Sequence, residues 1–346
     1  MSVNKKIIES EAIPPLGDFE FSTVIWSGNG SGTTQSITGV GFKPDLVWYK
    51  VRNYVYWNEF VDSTRGAGKE LYSNSQNGES TGNRLTSFNS DGFSVTGSAN
   101  DSGRNYVAWC WKANAGTTSS NTDGTITSTV QAANGFSIVT YTGTGSNGTI
   151  GHGLNSDPNF IITKARTTIS PAIAEAWPAF HSSLTNNNIA YLDKTYAAGS
   201  GNKTSVYSDP TTTSTTFGIG NWRGINQSGT VYMAYCFHSV SNYSKIGSYT
   251  GTGTTNSITG LGFQPDWIMI KRTDSANDWT IFDSVRDGYT DNDKVLWANL
   301  SDAEATGGTP TNIDLTSDGF AFDSGVIGSS INANGGTYIY MAFKIN

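Results

Sequence analysis

Residues 243–274 read YSKIGSYTGTGTTNSITGLGFQPDWIMIKRTD, and this stretch decides the fold. An alternating segment runs into a Gly/Thr loop. A second short segment ends in Gly-x-Gly-Phe-x-Pro-Asp, and a hydrophobic run follows. The pattern predicts two strands, a turn and a buried third strand. The same unit opens at Phe21 as FSTVIWSGNGSGTTQSITGVGFKPDLVWYKVRN, and in a degenerate form at Phe136 as FSIVTYTGTGSNGTIGHGLNSDPNFIITKART. The starts at residues 21, 136 and 243 are spaced by 115 and 107 residues. Three occurrences mean three copies of one module. Each is long enough for a sandwich of roughly 7 to 10 short strands.

Composition agrees with strands and tight turns. Charged residues make up 14% of the 346 residues, against about 25% in an average soluble protein, while aromatics reach 12% and glycines number 40. A disordered chain carries the opposite balance. No window holds a helical apolar stripe for three turns. The best short helix candidates are residues 172–176 and 301–305, so under about a tenth helix is expected. The net charge is −7, and no basic run is longer than two residues, as at Lys5-Lys6. That excludes a nucleic-acid footprint. No apolar span approaches a membrane crossing and no signal segment opens the chain, so synthesis in a cytoplasm without export by the usual route is expected.

The chain divides into an extended arm at 1–20, governed by Pro14-Pro15, and modules at 21–114, 115–240 and 241–346. Residues 113–134 are the one candidate linker, with a strand-like alternation at 125–130. Almost no linker separates modules two and three, which suggests rigid packing. Cys110 and Cys236 fall at equivalent places in YVAWCWK and YMAYCFH, where module three has Ala342. Equivalent positions in separate modules rarely touch, so both are read as small buried residues and not as a disulfide.

Several motifs match a chemistry only in letters. Residues 143–148, GTGSNG, fit the dinucleotide fingerprint, but a turn and a strand follow where a helix is needed. Residues 78–82, GESTG, fit a nucleophile elbow, but their flanks are polar loop and all three histidines, His152, His181 and His238, lie in module two. Asp287, Asp291 and Asp293 cluster with Asn292 in one loop. Calcium takes oxygens from such loops, but the spacing fits no EF-hand, and a solvated acidic loop is the preferred reading. No metal-ligand spacing and no recurring carboxylate pair is present, so neither a cofactor nor glycosidase chemistry is expected.

Two constellations recur or stand out. Asp62 and Arg65 in FVDSTR return as Asp283 and Arg286 in IFDSVR, whereas module two has His181 and Leu184. A pair kept together and lost together reads as a salt bridge or turn lock. Trp48 matches Ile162 and Met269 and is read as core. Tyr54, Tyr56 and Trp57 fall near a strand junction, and Trp222 lies in module two. Core packing is the preferred reading of these rings; flat rings at a loop edge also stack on sugars or fill subunit contacts.

The segments GVGFKPDLVWYK, FVDSTRG, SDGFSV and YVAWCWK in module one resemble a module of phage virion and tail proteins, common in marine phages. HGLNSDPNFIITKART and YMAYCFHSV in module two, and residues 243–274 with GGTYIYMAFK in module three, carry the same resemblance. It covers roughly residues 20–346. Module two departs at Asn155-Ser156, where the family has glycine. The resemblance implies three tandem concanavalin A-like or jelly-roll β-sandwiches and a non-enzymatic virion component. The expected role is a tail fibre or tail-tip protein that binds host surface glycans, with Tyr54, Tyr56, Trp57 and Trp222 as candidate glycan or subunit contacts. The alternative is a capsid decoration protein whose arm at 1–20 docks on other virion proteins. By analogy with phage fibres, a homotrimer is expected.

Overall fold

The computed structural model describes residues 21–133, 135–167, 176–184, 188–199, 203–208, 211–305, 312–323 and 330–345. The arm at 1–20 and most of the helix candidate at 172–176 lie outside them. The chain is all-β, with 46% strand and 4% helix. The other helix candidate, residues 301–305, is extended. Glu304 donates its N–H to the Arg52 carbonyl at 2.6 Å, and Ala305 exchanges backbone hydrogen bonds with Val295. These long-range pairings override a local preference worth only tenths of a kcal/mol per residue.

Among the described residues, six antiparallel sheets lie along the chain, a larger and a smaller one in each repeat. In repeat one, Phe21–Ser27 pairs with the last strand, Asn105–Trp111, which pairs with Leu46–Val51, then Asn58–Asp62 and Lys69–Tyr72. Repeat two orders Phe136–Thr142, Val231–Phe237, Phe160–Ala165 and Pro178–His181 in the same way. Repeat three does so with Ser244–Thr250, Thr337–Phe343, Trp267–Arg272 and Trp279–Asp283. The candidate linker is not free: Ser119–Asn121 and Ser128–Ala133 extend the large sheet of repeat two.

Both faces of the large sheets are buried. In Asn105–Trp111, Tyr106, Ala108 and Cys110 enter a core private to repeat one, and Val107, Trp109 and Trp111 enter a second core. The same split occurs in the other repeats, and the second core is common to all three. This explains why the inner strands read as continuous apolar runs and not as alternation. Trp48 belongs to the common core and is 1% exposed. At one end, Trp111, Phe237 and Phe343 meet with ring centroids 6.0, 5.8 and 6.0 Å apart, a nearly equilateral triangle of equivalent residues. The premise that equivalent positions stay apart therefore fails on this face. Cys110 and Cys236 are free and buried, one residue out of phase with the triangle and in different private cores.

The repeats meet along seams that follow one plan. Between repeats one and two, the Asp62 carboxylate accepts from the Arg65 N–H (2.9 Å), the Arg65 Nε (2.5 Å) and the Tyr235 hydroxyl (2.8 Å). Arg65 reaches Glu79, and Glu79 accepts two 3.0 Å bonds from Arg166. Between repeats three and one, Asp283 holds Arg286 in the same geometry and accepts from the Trp109 indole at 3.0 Å. Arg286 reaches Glu304, which accepts two bonds from Arg52. Between repeats two and three the same places hold other chemistry. His181 faces the Tyr340 carbonyl at 3.3 Å, Leu184 replaces the arginine, and Ala198 bonds Thr273 backbone to backbone.

Each loop opposite the triangle is tied by an asparagine that sequence reading passed over. Asn100, Asn226 and Asn332 are all fully buried. Each side chain donates to a carbonyl of its Gly/Thr loop and accepts one of that loop's N–H groups. Three residues on stands a glycine, and six on a tyrosine whose hydroxyl accepts from the N–H after the asparagine. The signal, Asn-x-x-Gly-x-x-Tyr in all three repeats, was present in the sequence.

Candidate functional site

The seam between repeats one and three opens at the surface into a cleft of about 390 Å³. Val55, Tyr56, Trp57 and Asn74 line it from repeat one, and Asn299, Leu300 and Ser301 from repeat three. That volume is at the small end for ligand pockets. The loop that forms one wall follows Leu46–Val51 and is drawn over the seam by local bonds. Tyr56 donates its N–H to the Ser301 carbonyl at 2.9 Å. Beneath it, Asn58 and the buried Lys50 both grip the Leu300 carbonyl, and Lys50 also bonds Asn58 at 2.6 Å. Burial pulls the Lys50 ammonium down to about 7, against the pull of Asp302.

Two of the four candidate aromatics, Tyr56 and Trp57, line this cleft, and a third, Tyr54, stands on the same loop. Trp57 is 41% exposed and leans on Tyr72, with ring centroids 5.4 Å apart. Tyr56 is half-buried, and its hydroxyl bonds Ser98 at 2.9 Å. Tyr54 stands at the loop tip with the Arg104 guanidinium 3.4 Å over its ring. Trp222 is elsewhere: it folds over Gly224 and meets Tyr191 edge-on at 6.5 Å, inside repeat two.

Behind Tyr56 lies a polar cluster that sequence reading missed. Ser98 also accepts from Arg84, which pairs with the buried Glu70. Glu59 lies fully buried beside them, with the Arg84 guanidinium at 3.5 Å. Burial, and then the Glu70 charge, raise the Glu59 carboxyl well above its usual range, with Arg84 opposing. The places of Glu59 and Glu70 in repeat three are held by Thr280 and Val295. Comparing aligned repeats for charges present in one alone would have exposed the pair.

The remaining candidates are structural in their contacts. Asp62, Arg65, Asp283 and Arg286 are sealed in the seams. Asp287 accepts from Lys294 and from the N–H groups of Asp293 and Lys294, and Asp291 faces Asp314 and Asn312. Among the described residues, no group of three or more His, Cys, Asp or Glu side chains is placed to hold a metal ion. No helix there is long and apolar enough to cross a membrane.

Fold and site together define an all-β protein of β-sandwich character with an aromatic surface cleft between two of its repeats. The chain belongs to the family described as "Domain of unknown function (DUF7483)", whose model matches residues 17–346. No curated protein and no solved structure matches it.

Proposed function

We propose that this chain is a non-enzymatic surface protein of a phage virion, in a tail fibre or tail tip, that recognises host surface glycans through the cleft between repeats one and three. In this reading its architecture is three tandem concanavalin A-like sandwiches, with residues 1–20 as the docking arm. The observation that carries the proposal is the exposed Tyr54–Trp57 loop, whose Tyr56 and Trp57 rings border, with the amides of Asn74 and Asn299, a cleft with no ionised side chain among its lining residues. Such a surface suits sugars, which offer apolar faces and neutral hydroxyls. A partner protein would favour a larger apolar patch. The large-sheet faces are consumed inside the chain. The proposed homotrimer therefore uses other surfaces, and solution mass by light scattering tests it.

The deciding experiment is adsorption competition. Purified protein added to host cells blocks phage attachment in proportion to dose, and Trp57→Ala does not. Unimpaired attachment would reject the receptor-binding reading and favour capsid decoration, to be checked by locating the protein on the virion.

A further inference from the structure

We infer that the cleft is a single, seam-bridging subsite for an uncharged sugar residue, whose binding clamps repeat one to repeat three. The inference rests on the glycan reading of the cleft. It adds three properties: one site per chain, a preference for neutral over anionic sugars, and coupling between ligand and seam.

The count follows from the register of the repeats. Asn58–Asp62 and Trp279–Asp283 occupy the same place, so Trp57 corresponds to Asp278 and Tyr56 to Asn277. In repeat two Trp57 corresponds to Ala176. Neither place can present the same ring wall.

The preference follows from the groups left open. The Asn74 carbonyl oxygen is taken by the Asn58 N–H, which leaves the Asn74 amide N–H₂ for a ligand. Asn299 accepts from the Trp279 N–H and gives one of its two N–H bonds to Asp278, so its other N–H is open. The Trp57 indole N–H and the Ser301 hydroxyl complete the set. An indole and two amides supply donors only on these open atoms, and sugar ring and hydroxyl oxygens accept. The exposed Trp57 ring takes the apolar face of a pyranose. Neither Lys nor Arg lines the cleft to neutralise a carboxylate or sulfate, and burying such a charge unpaired is costly.

The coupling follows from the walls. A ligand that touches Trp57 and Asn74 on one side and Asn299 and Ser301 on the other binds only the closed seam. It therefore stabilises the folded chain by mass action. By reciprocity, loosening the seam outside the cleft weakens binding. The Arg52–Glu304 pair is such a place: it ties the same two repeats and lines no part of the cleft.

The test uses the full chain and isothermal titration with glucose, galactose, mannose, N-acetylglucosamine and short oligomers of each, with N-acetylneuraminic acid and a sulfated disaccharide as anionic arms. At least one neutral sugar is expected to bind at one per chain, and to raise the melting temperature. Trp57→Ala is expected to weaken it about tenfold or more, and Arg52→Ala severalfold. Circular dichroism checks that both variants fold. Failure of every neutral sugar to bind, a stoichiometry of three, equal binding of the anionic arms, or unchanged affinity in both variants each overturns the inference. Sugar binding without any block of phage attachment would uphold this subsite and reject the receptor role. Blocked attachment without sugar binding would do the reverse.

Discussion

The seam between repeats one and two and the seam between repeats two and three share a backbone plan and differ in chemistry. The first buries Asp62, Arg65 and Tyr235, with Glu79 and Arg166 at its edge. The second puts His181, Leu184 and Met341 in the inner places and Ala198 and Thr273 in the outer ones. Acid, arginine and hydrogen-bond donor change as a set. A buried carboxylate needs every partner, and half of such a network is worse than none. A repeat interface therefore has two workable solutions, fully charged or nearly apolar, and this molecule holds both. The seam between repeats three and one repeats the charged solution, with Trp109 in place of Tyr235.

The largest effect expected from breaking that contrast is at Asp62. Asp62→Ala leaves Arg65 buried without its carboxylate and removes the acceptor for Tyr235. The expected loss is about 3 to 5 kcal/mol in urea unfolding. His181→Leu at the other seam removes two contacts, the 3.3 Å one to the Tyr340 carbonyl and the 3.1 Å one from the Ser183 N–H, and replaces the ring with an apolar side chain of similar size; a smaller loss of about 1 to 2 kcal/mol is expected. Equal losses in the two variants would show that the seams do not differ in the way their contacts imply.

Acid sharpens the same comparison. Burial lowers His181 to about 4 from an ordinary 6.5. A depressed folded value means that the neutral ring's stability is complete above pH 6.5 and is lost as pH falls towards 4. The loss is on the order of 3 kcal/mol. Unfolding curves between pH 7 and 4 should show this slope, and His181→Leu should flatten it.

Glu59 tilts the opposite way. Its carboxyl is raised well above 4.5, so its neutral form favours the fold most at low pH. Stability falls as pH climbs above 4.5 towards the folded value. Glu59→Gln keeps the shape, removes the ionisation, and should make the chain more stable at pH 7 than its parent. A less stable variant there would mean that Glu59 is ionised in the fold.

Much of the fold was legible because it is written three times. The Gly-x-Gly-Phe-x-Pro-Asp turn repeats, and in repeats one and three an aspartate, Asp91 or Asp318, accepts the N–H groups of its two glycines. Short-range pairs such as Asp62 and Arg65 are visible at a separation of three residues. The seams were not visible, because Asp62 meets Tyr235 across 173 residues and Trp109 meets Asp283 across 174. Nothing local marks which sheet face turns towards another repeat. The loop at Tyr54–Trp57 stood out for its rings, yet its partners Asn299, Leu300 and Ser301 are some 240 residues away, just before and at the start of the segment 301–305 whose local pattern suggested a helix.

The smallest effect is expected at Trp57, and it separates the cleft from the seam that carries it. The indole is 41% exposed, and its main packing partner is Tyr72 at 5.4 Å. Asn58, the next residue, does the seam's work: it donates to the Trp297, Ala298 and Leu300 carbonyls. Trp57→Ala should therefore cost under about 1.5 kcal/mol, the range of one aromatic contact, and leave the His181 and Glu59 pH slopes unchanged. Asn58→Ala should cost more, because it removes three hydrogen bonds to carbonyls of repeat three and the acceptor for the buried Lys50 at the seam. If Trp57→Ala destabilised the chain as much as Asn58→Ala, the ring would be a structural member of the seam, and its exposure would say nothing about a ligand.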